Sequence, residues 1–212
     1  ASLRPMKKFL PLAAFSATAL MLLSNGAAAM PPPLPDVEGK DAATLATEMA
    51  AGETSSEAIV AAFLQRIARI DDAGPKLNAV IATFPDAMSV AHRRDLERKA
   101  GKLRGPLHGI PVLLKDNIEA AGPLPTTAGS LALKDNVTNR DAPLVARLRE
   151  AGAVILGKTN LSEWANIRSN NSTSGWSAVG GLTKNPHALD RNTCGSSAVS
   201  YTHLTLPTTP YV

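Results

Sequence analysis

Apolar residues recur at helical spacing in three stretches of the chain after residue 40, with polar residues between them. Helices are predicted over residues 55–70, 85–99 and 141–152. Thr54 and Glu57 match a capping box at the start of the first helix, and Asp141 is predicted to cap the third, which ends at Gly152. The charged end of the second helix, residues 93–98, is predicted to be a solvated face.

Short apolar runs lie between these helices and are predicted to be buried strands. They cover residues 79–82, 110–114 and 153–156. Helices that alternate with short apolar strands favour an α/β layered fold. From Arg168 to Ser200 the composition changes to glycine, serine, asparagine and threonine.

Composition and charge exclude several functional classes. The formal net charge is +4, but Arg4, Lys7 and Lys8 precede residue 30, and the rest of the chain carries 19 basic against 18 acidic residues. We therefore predict no nucleic-acid partner. Cys194 is the one cysteine, so the chain cannot form an internal disulfide. The four histidines lack metal-ligand spacing and there is no phosphate-binding glycine loop, so we expect no metal and no cofactor.

The first 29 residues have the order of a secretory signal. Met6, Lys7 and Lys8 form a positive segment, residues 9–23 carry no charge, and small residues lead to Ala29, after which cleavage is predicted. The apolar run is about 15 residues long, shorter than the roughly 20 of a spanning helix. We therefore expect a periplasmic or secreted protein without stable membrane insertion after cleavage. An uncleaved membrane anchor is the alternative.

Lys115 directly follows the apolar run at 110–114, so its stem is predicted to begin inside the core. Burial disfavours the ammonium form and lowers the pKa of a lysine, which makes the neutral amine a usable base. Lys134 precedes an identical Asp-Asn pair but opens a polar stretch, which is typical of an exposed helix end. The alternative for Lys115 is a lysine at a strand end whose head reaches solvent.

The segment Cys194-Gly195-Ser196-Ser197 places two hydroxyls between small residues, which allows a tight backbone close to a ligand. An ordinary loop is the alternative. Cys194 as a nucleophile is disfavoured because no nearby basic residue marks a thiolate. A Ser–His hydrolase is disfavoured because the Gly-x-Ser-x-Gly elbow is absent.

Several motifs occur in one order between residues 36 and 198. They are residues 105–111 and 114–117, 126–130, 157–166, 174–177, 180–181, 185–186 and 194–197. In this order the chain resembles the amidase signature family, and within it the bacterial peptide amidases. The resemblance implies an α/β fold with one large mixed β-sheet flanked by helices. Residues 30–198 would form its N-terminal portion, which is incomplete.

The resemblance also implies roles for individual residues. The family uses a Ser–Ser–Lys triad, in which Lys115 matches the base and Ser196 matches the bridging serine, which follows a cis peptide bond. Ser196 would pass a proton from the nucleophilic serine to Lys115 while that serine attacks a small-molecule or peptide amide. Asn170 matches a loop whose backbone lies beside the nucleophile and the substrate.

The end of the chain departs from the family pattern. The nucleophile is expected about two dozen residues past Ser196, beyond Val212, and Pro207 and Pro210 do not fit the helix expected before it. We therefore predict that residues 199–212 are a non-homologous tail and that this chain is inactive, whereas its full-length parent is an amidase.

Two other functions stay open. One is a non-catalytic exported fragment or binding module. The other is a component of a glutamine amidotransferase that works on charged transfer RNA, which the export signal and near-neutral charge disfavour. The sequence leaves the oligomeric state unknown.

Overall fold

The computed structural model describes residues 33–199. The predictions for the signal segment up to Ala29 and for residues 200–212 lie outside this range. Val199, the first residue of the predicted tail, lies inside it and is buried against Leu77 and Ala79.

Helices and strands alternate along the described residues. The helices are α1 (Ala42–Ala51), α2 (Ser56–Arg66), α3 (Ala87–Lys99) and α4 (Pro143–Glu150). A π-helical segment, Ile67–Asp72, continues α2, and 3₁₀ turns cover Leu131–Leu133 and Glu163–Asn166. The strands are β1 (Val80–Thr83), β2 (Pro111–Lys115), β3 (Val154–Thr159), β4 (Trp176–Ser177), β5 (Gly181–Leu182), β6 (Lys184–Asn185) and β7 (Ala188–Asn192).

The three predicted strands are confirmed and form one mixed sheet in the order β1-β3-β2. Their predicted burial holds for β3, whereas β1 and most of β2 are half-buried. Strand β3 is central and buried throughout, parallel to β2 and antiparallel to β1. A side chain at Gly157 would collide with the carbonyl oxygen of Ala82, so only glycine lets β1 approach β3 this closely. Because β2 and β3 are parallel, they end at the same edge, where Lys115 pairs with Thr159.

The apolar core lies between the helices and this sheet. Its main cluster joins α2, α3, α4, β2 and β3, with members that include Val60, Ala91, Leu114, Val145 and Val154. A second cluster packs α1 against α2 and the residue before β2, through Leu45, Met49, Ile59 and Ile110. The α/β layering predicted from the sequence is therefore confirmed.

The start of α2 differs from the predicted capping box. Ser55 is the N-cap residue, one position after Thr54, and its hydroxyl accepts a hydrogen bond from the Ala58 N–H at 3.1 Å. Two other backbone N–H groups of this first turn donate to the carboxylate of Asp95 on α3, that of Ser56 at 2.8 Å and that of Glu57 at 2.9 Å. The capping-box prediction was wrong because a side chain distant in sequence satisfies these donors.

The prediction of a solvated face at residues 93–98 was wrong at two positions. Arg94 and Asp95 are buried, because α3 packs here against the start of α2 and the turn after α4. Arg94 Nε donates to the Gly152 carbonyl at 3.1 Å. Glu97, which accepts hydrogen bonds from Arg104 and Arg94, has its pKa lowered to about 2, chiefly by the Arg104 bond.

Asp141 does not cap α4, contrary to the prediction. Ala142 occupies the N-cap position without a side-chain bond, and Pro143 opens the first turn, where a missing N–H costs little. The Asp141 carboxylate instead accepts from the Ala121 N–H at 2.7 Å and pairs with Arg149 at 3.1 Å. Asp141 therefore fastens the loop after β2 to α4.

No helix within residues 33–199 combines the length and the apolar character that crossing a bilayer requires.

The role of Asp95 predicts a stability loss on removal of its charge. Asp95→Asn leaves one oxygen for two buried N–H donors, so the free energy of unfolding falls by about 1–3 kcal/mol. Urea unfolding of the chain, followed by circular dichroism, measures the change. Asp86→Asn is the control, because Asp86 is exposed and makes no capping bond at the start of α3. Equal stability of the two variants would contradict the capping role.

Candidate functional site

Lys115 is the last residue of β2, and its side chain is half-buried. Its Nζ lies 2.8 Å from the Oγ of Ser196 and 3.1 Å from the Oγ of Ser197. Desolvation by burial lowers the Lys115 pKa. The structure therefore brings Lys115 and Ser196 together, and it adds Ser197, for which the sequence indicated no role of its own.

Ser196 lies in the loop that follows β7. The peptide bond between Gly195 and Ser196 is cis, as the resemblance implied. The N–H of Ser162 donates to the Ser196 carbonyl at 3.1 Å, and the Ser162 Oγ accepts from the Gly175 N–H at 2.9 Å. A Cβ at Gly195 would collide with that same Oγ. The fully buried Ser162 therefore holds the Gly195–Ser196 segment in place.

Ser162 belongs to one of the family motifs, but the sequence alone assigns it no function. A serine a few residues past the end of a strand gives no signal of its own in one sequence. Its contact with Ser196 depends on a backbone pairing between segments distant along the chain, which only the fold reveals.

Asn160, just after β3, organises the loops around this site. Its buried amide nitrogen donates to the carbonyls of Asn78 at 3.2 Å and Gly181 at 3.0 Å, and to the Thr183 hydroxyl at 2.9 Å. Its oxygen accepts from the Ser177 hydroxyl at 2.7 Å. Asn160 therefore joins the segment before β1 to the β4–β5 hairpin.

Asn170 lies in an exposed turn. A cavity of about 270 Å³ opens beside this turn, lined by Trp164, Arg168, Asn171 and Trp176 among others. Asn170 is absent from its lining, and no described hydrogen bond within residues 33–199 joins it to Lys115 or Ser196. The substrate-binding role of Asn170 stays a prediction.

The pairing of Lys115 with Ser196 allows proton transfer between an amine and a hydroxyl. Once deprotonated, the Lys115 nitrogen can accept the Ser196 proton, and the Ser196 oxygen can accept one from a further hydroxyl. Cys194 is exposed and is a free thiol. Across residues 33–199, no group of three or more histidine, cysteine, aspartate or glutamate side chains is placed to hold a metal ion.

Comparisons with known proteins identify the family of this chain. A family model described as Amidase matches residues 58–200. The chain is 49% identical over 148 residues to a protein of Arabidopsis thaliana described as a "probable amidase", covering 69% of this chain and 28% of that protein. It is 41% identical over 152 residues to a glutamyl-tRNA(Gln) amidotransferase subunit of Symbiobacterium thermophilum, covering 71% and 29%.

Solved structures of similar proteins share the fold. The native peptide amidase from Stenotrophomonas maltophilia superposes with a TM-score of 0.76 at 58% identity, over 80% of this chain and 34% of that one. An amidase family protein from Bacillus anthracis superposes with a TM-score of 0.74 at 39% identity, over 78% and 33%. The chain thus spans about a third of the structures it matches. With its family model, its identities and its fold in agreement, the chain belongs to the amidase signature family.

Proposed function

We propose that the protein to which this chain belongs hydrolyses carboxamide C–N bonds, with Lys115 as the base and Ser196 as the bridging hydroxyl. The observation that carries the proposal is the 2.8 Å approach of the Lys115 Nζ to the Ser196 Oγ, at a lysine whose pKa is lowered by desolvation. A lysine in that state is neutral over more of the pH range and can accept a proton.

In the proposed reaction, a nucleophilic hydroxyl outside residues 33–199 attacks the amide carbon. Its proton moves to the Ser196 Oγ while the Ser196 proton moves to the Lys115 Nζ. The carbonyl π electrons pass to oxygen, and collapse of this intermediate expels the amine, which takes a proton back through Ser196. Water then cleaves the acyl ester by the same relay and returns the nucleophilic hydroxyl.

The substrate class we propose is a small-molecule or peptide carboxamide. The support is the 58% identity to the Stenotrophomonas maltophilia peptide amidase, against 41% for the Symbiobacterium thermophilum amidotransferase subunit. The nearly balanced charge after residue 29 also favours a small or peptide substrate over transfer RNA. We propose export for the same protein, on the strength of the charged, apolar and small-residue order of residues 6–29.

Replacement of Lys115 should abolish turnover in the full-length protein. Lys115→Met keeps an unbranched, mostly apolar side chain but removes the nitrogen, so kcat for amide hydrolysis falls by at least about 10³-fold, measured as ammonia release. Lys134→Met is the matched control, because it changes an exposed lysine of the other Lys-Asp-Asn triplet and should leave kcat unchanged. Retention of the parental rate by Lys115→Met would refute the assignment.

The 212-residue chain by itself should be inactive. Its described residues bring Lys115 and Ser196 together, but the nucleophilic serine is expected about two dozen residues past Ser196, beyond residue 212. We expect no ammonia release from amino-acid and peptide amides above the buffer rate. Turnover that disappears in the Lys115→Met version of the same chain would show instead that the nucleophile lies within these 212 residues.

A further inference from the structure

Lys158 is a second buried lysine, and the proposed reaction does not use it. It lies on the central strand β3 with 1% of its surface exposed. Its Nζ donates to the Ile118 carbonyl at 2.6 Å and to the Thr126 hydroxyl at 2.9 Å, and it lies 3.5 Å from the Asp116 carboxylate. These three contacts match the three donors of an ammonium group.

Asp116, the residue directly after Lys115, is equally buried and fully engaged. Its N–H donates to the Thr159 carbonyl at 3.1 Å, and its own carbonyl accepts from the N–H groups of Thr127 at 3.1 Å and Ala128 at 2.9 Å. Its carboxylate also accepts from the Thr127 hydroxyl. Asp116 therefore fixes the end of β2 to both β3 and the loop at residues 126–128.

The two lysines lie on opposite faces of the sheet. In the parallel register of β2 and β3, Leu114 pairs with Lys158, and Lys115 pairs with Thr159. Because successive side chains alternate between faces, Lys158 shares its face with Leu114 and Asp116. Lys158 thus makes no described contact with Lys115, and its contacts with Ile118 and Asp116 reach Lys115 through the backbone of residues 115–118.

Burial makes this pair costly for the fold. Desolvation raises the Asp116 pKa and lowers the Lys158 pKa, opposing the attraction between the two charges. Apolar residues of similar volume often stabilise a fold as well as a buried ion pair does. Stability alone therefore gives no reason to place a lysine and an aspartate here.

We propose that Lys158 and Asp116 are positioning residues, a buried pair that fixes the end of β2 so that Lys115 reaches Ser196. This inference rests on the proposed amidase function. Neither residue touches Ser196 in the described contacts of residues 33–199, and neither needs to exchange a proton. Their effect is on the direction in which Lys115 leaves the sheet.

The test is a double variant of the full-length protein, Asp116→Asn with Lys158→Met. It removes both charges but retains an oxygen that can accept from Thr127. We expect a melting temperature modestly below the parental one, because the Ile118 carbonyl loses its donor. We also expect a kcat lower by roughly 10–100-fold and a KM changed by less than about twofold. Lys158→Met alone should melt well below the double variant, because it leaves the Asp116 charge buried and unpaired.

The matched control is Asp135→Asn with Lys134→Met, the same changes at the exposed triplet. It should keep the parental kcat and KM. A folded Asp116→Asn/Lys158→Met protein with parental kcat overturns the inference. Lys115→Met, assayed in parallel, separates the two claims: if it also keeps parental kcat, the proposed function itself fails.

A milder change covers the case in which the double variant does not fold. Thr127→Val removes one hydroxyl donor to Asp116 with little change in volume and leaves both charges in place. We expect a several-fold lower kcat at unchanged KM. A folded Thr127→Val protein with parental kcat overturns the inference, and Thr47→Val on the exposed face of α1 serves as its control.

Discussion

The contact between Lys115 and Ser196 joins parts of the chain that are 81 residues apart, and much of the described structure converges on it. On one side, the parallel pairing of β2 with β3 sets where Lys115 leaves the sheet. On the other, Ser162 holds the Gly195–Ser196 segment from the end of β3. The central strand therefore positions both partners, and a shift of its register would separate the amine from the hydroxyl.

Partial burial lowers the Lys115 pKa and so favours the neutral amine, but desolvation of the amine also lowers the stability of the fold. An amine in water keeps its proton at neutral pH, whereas partial desolvation favours the neutral base. The same desolvation raises the Asp116 pKa and lowers the Lys158 pKa, and the oxygen and nitrogen partners around the pair oppose both shifts. We therefore propose different roles for these two lysines, which lie on neighbouring strands, because their surroundings differ.

The sequence predicted the α/β layers well, because three short apolar runs suffice to identify the strands of the main sheet. It overestimated the burial of β1 and β2, which are mostly half-buried. It failed where tertiary partners replace local ones. Thr54 and Glu57 have the spacing of a capping box, yet the Asp95 carboxylate on α3 accepts hydrogen bonds from two backbone N–H groups at the start of α2. Arg94 and Asp95 looked like solvated charges because a single sequence does not reveal which helix packs against them.

At the site, the apolar residues 110–114 predicted that Lys115 would be partly buried. The pairing of Lys115 with Ser196 was predicted from the family resemblance, not from the spacing of residues in the sequence. The burial of Lys158 could not be predicted from the sequence, since Lys158 follows a glycine and precedes polar residues, although its side chain is among the most buried.

The most direct test of the contact between Lys115 and Ser196 is an NMR titration of the ¹⁵N-labelled lysine Nζ groups in this chain. The Lys115 signal is assigned by its loss in Lys115→Met. We expect Lys115 to lose its proton below the pKa of about 10.4 of an unperturbed lysine, and Ser196→Ala to change the Lys115 chemical shift. Titration of Lys115 at the unperturbed value, with no response to Ser196→Ala, would contradict this expectation.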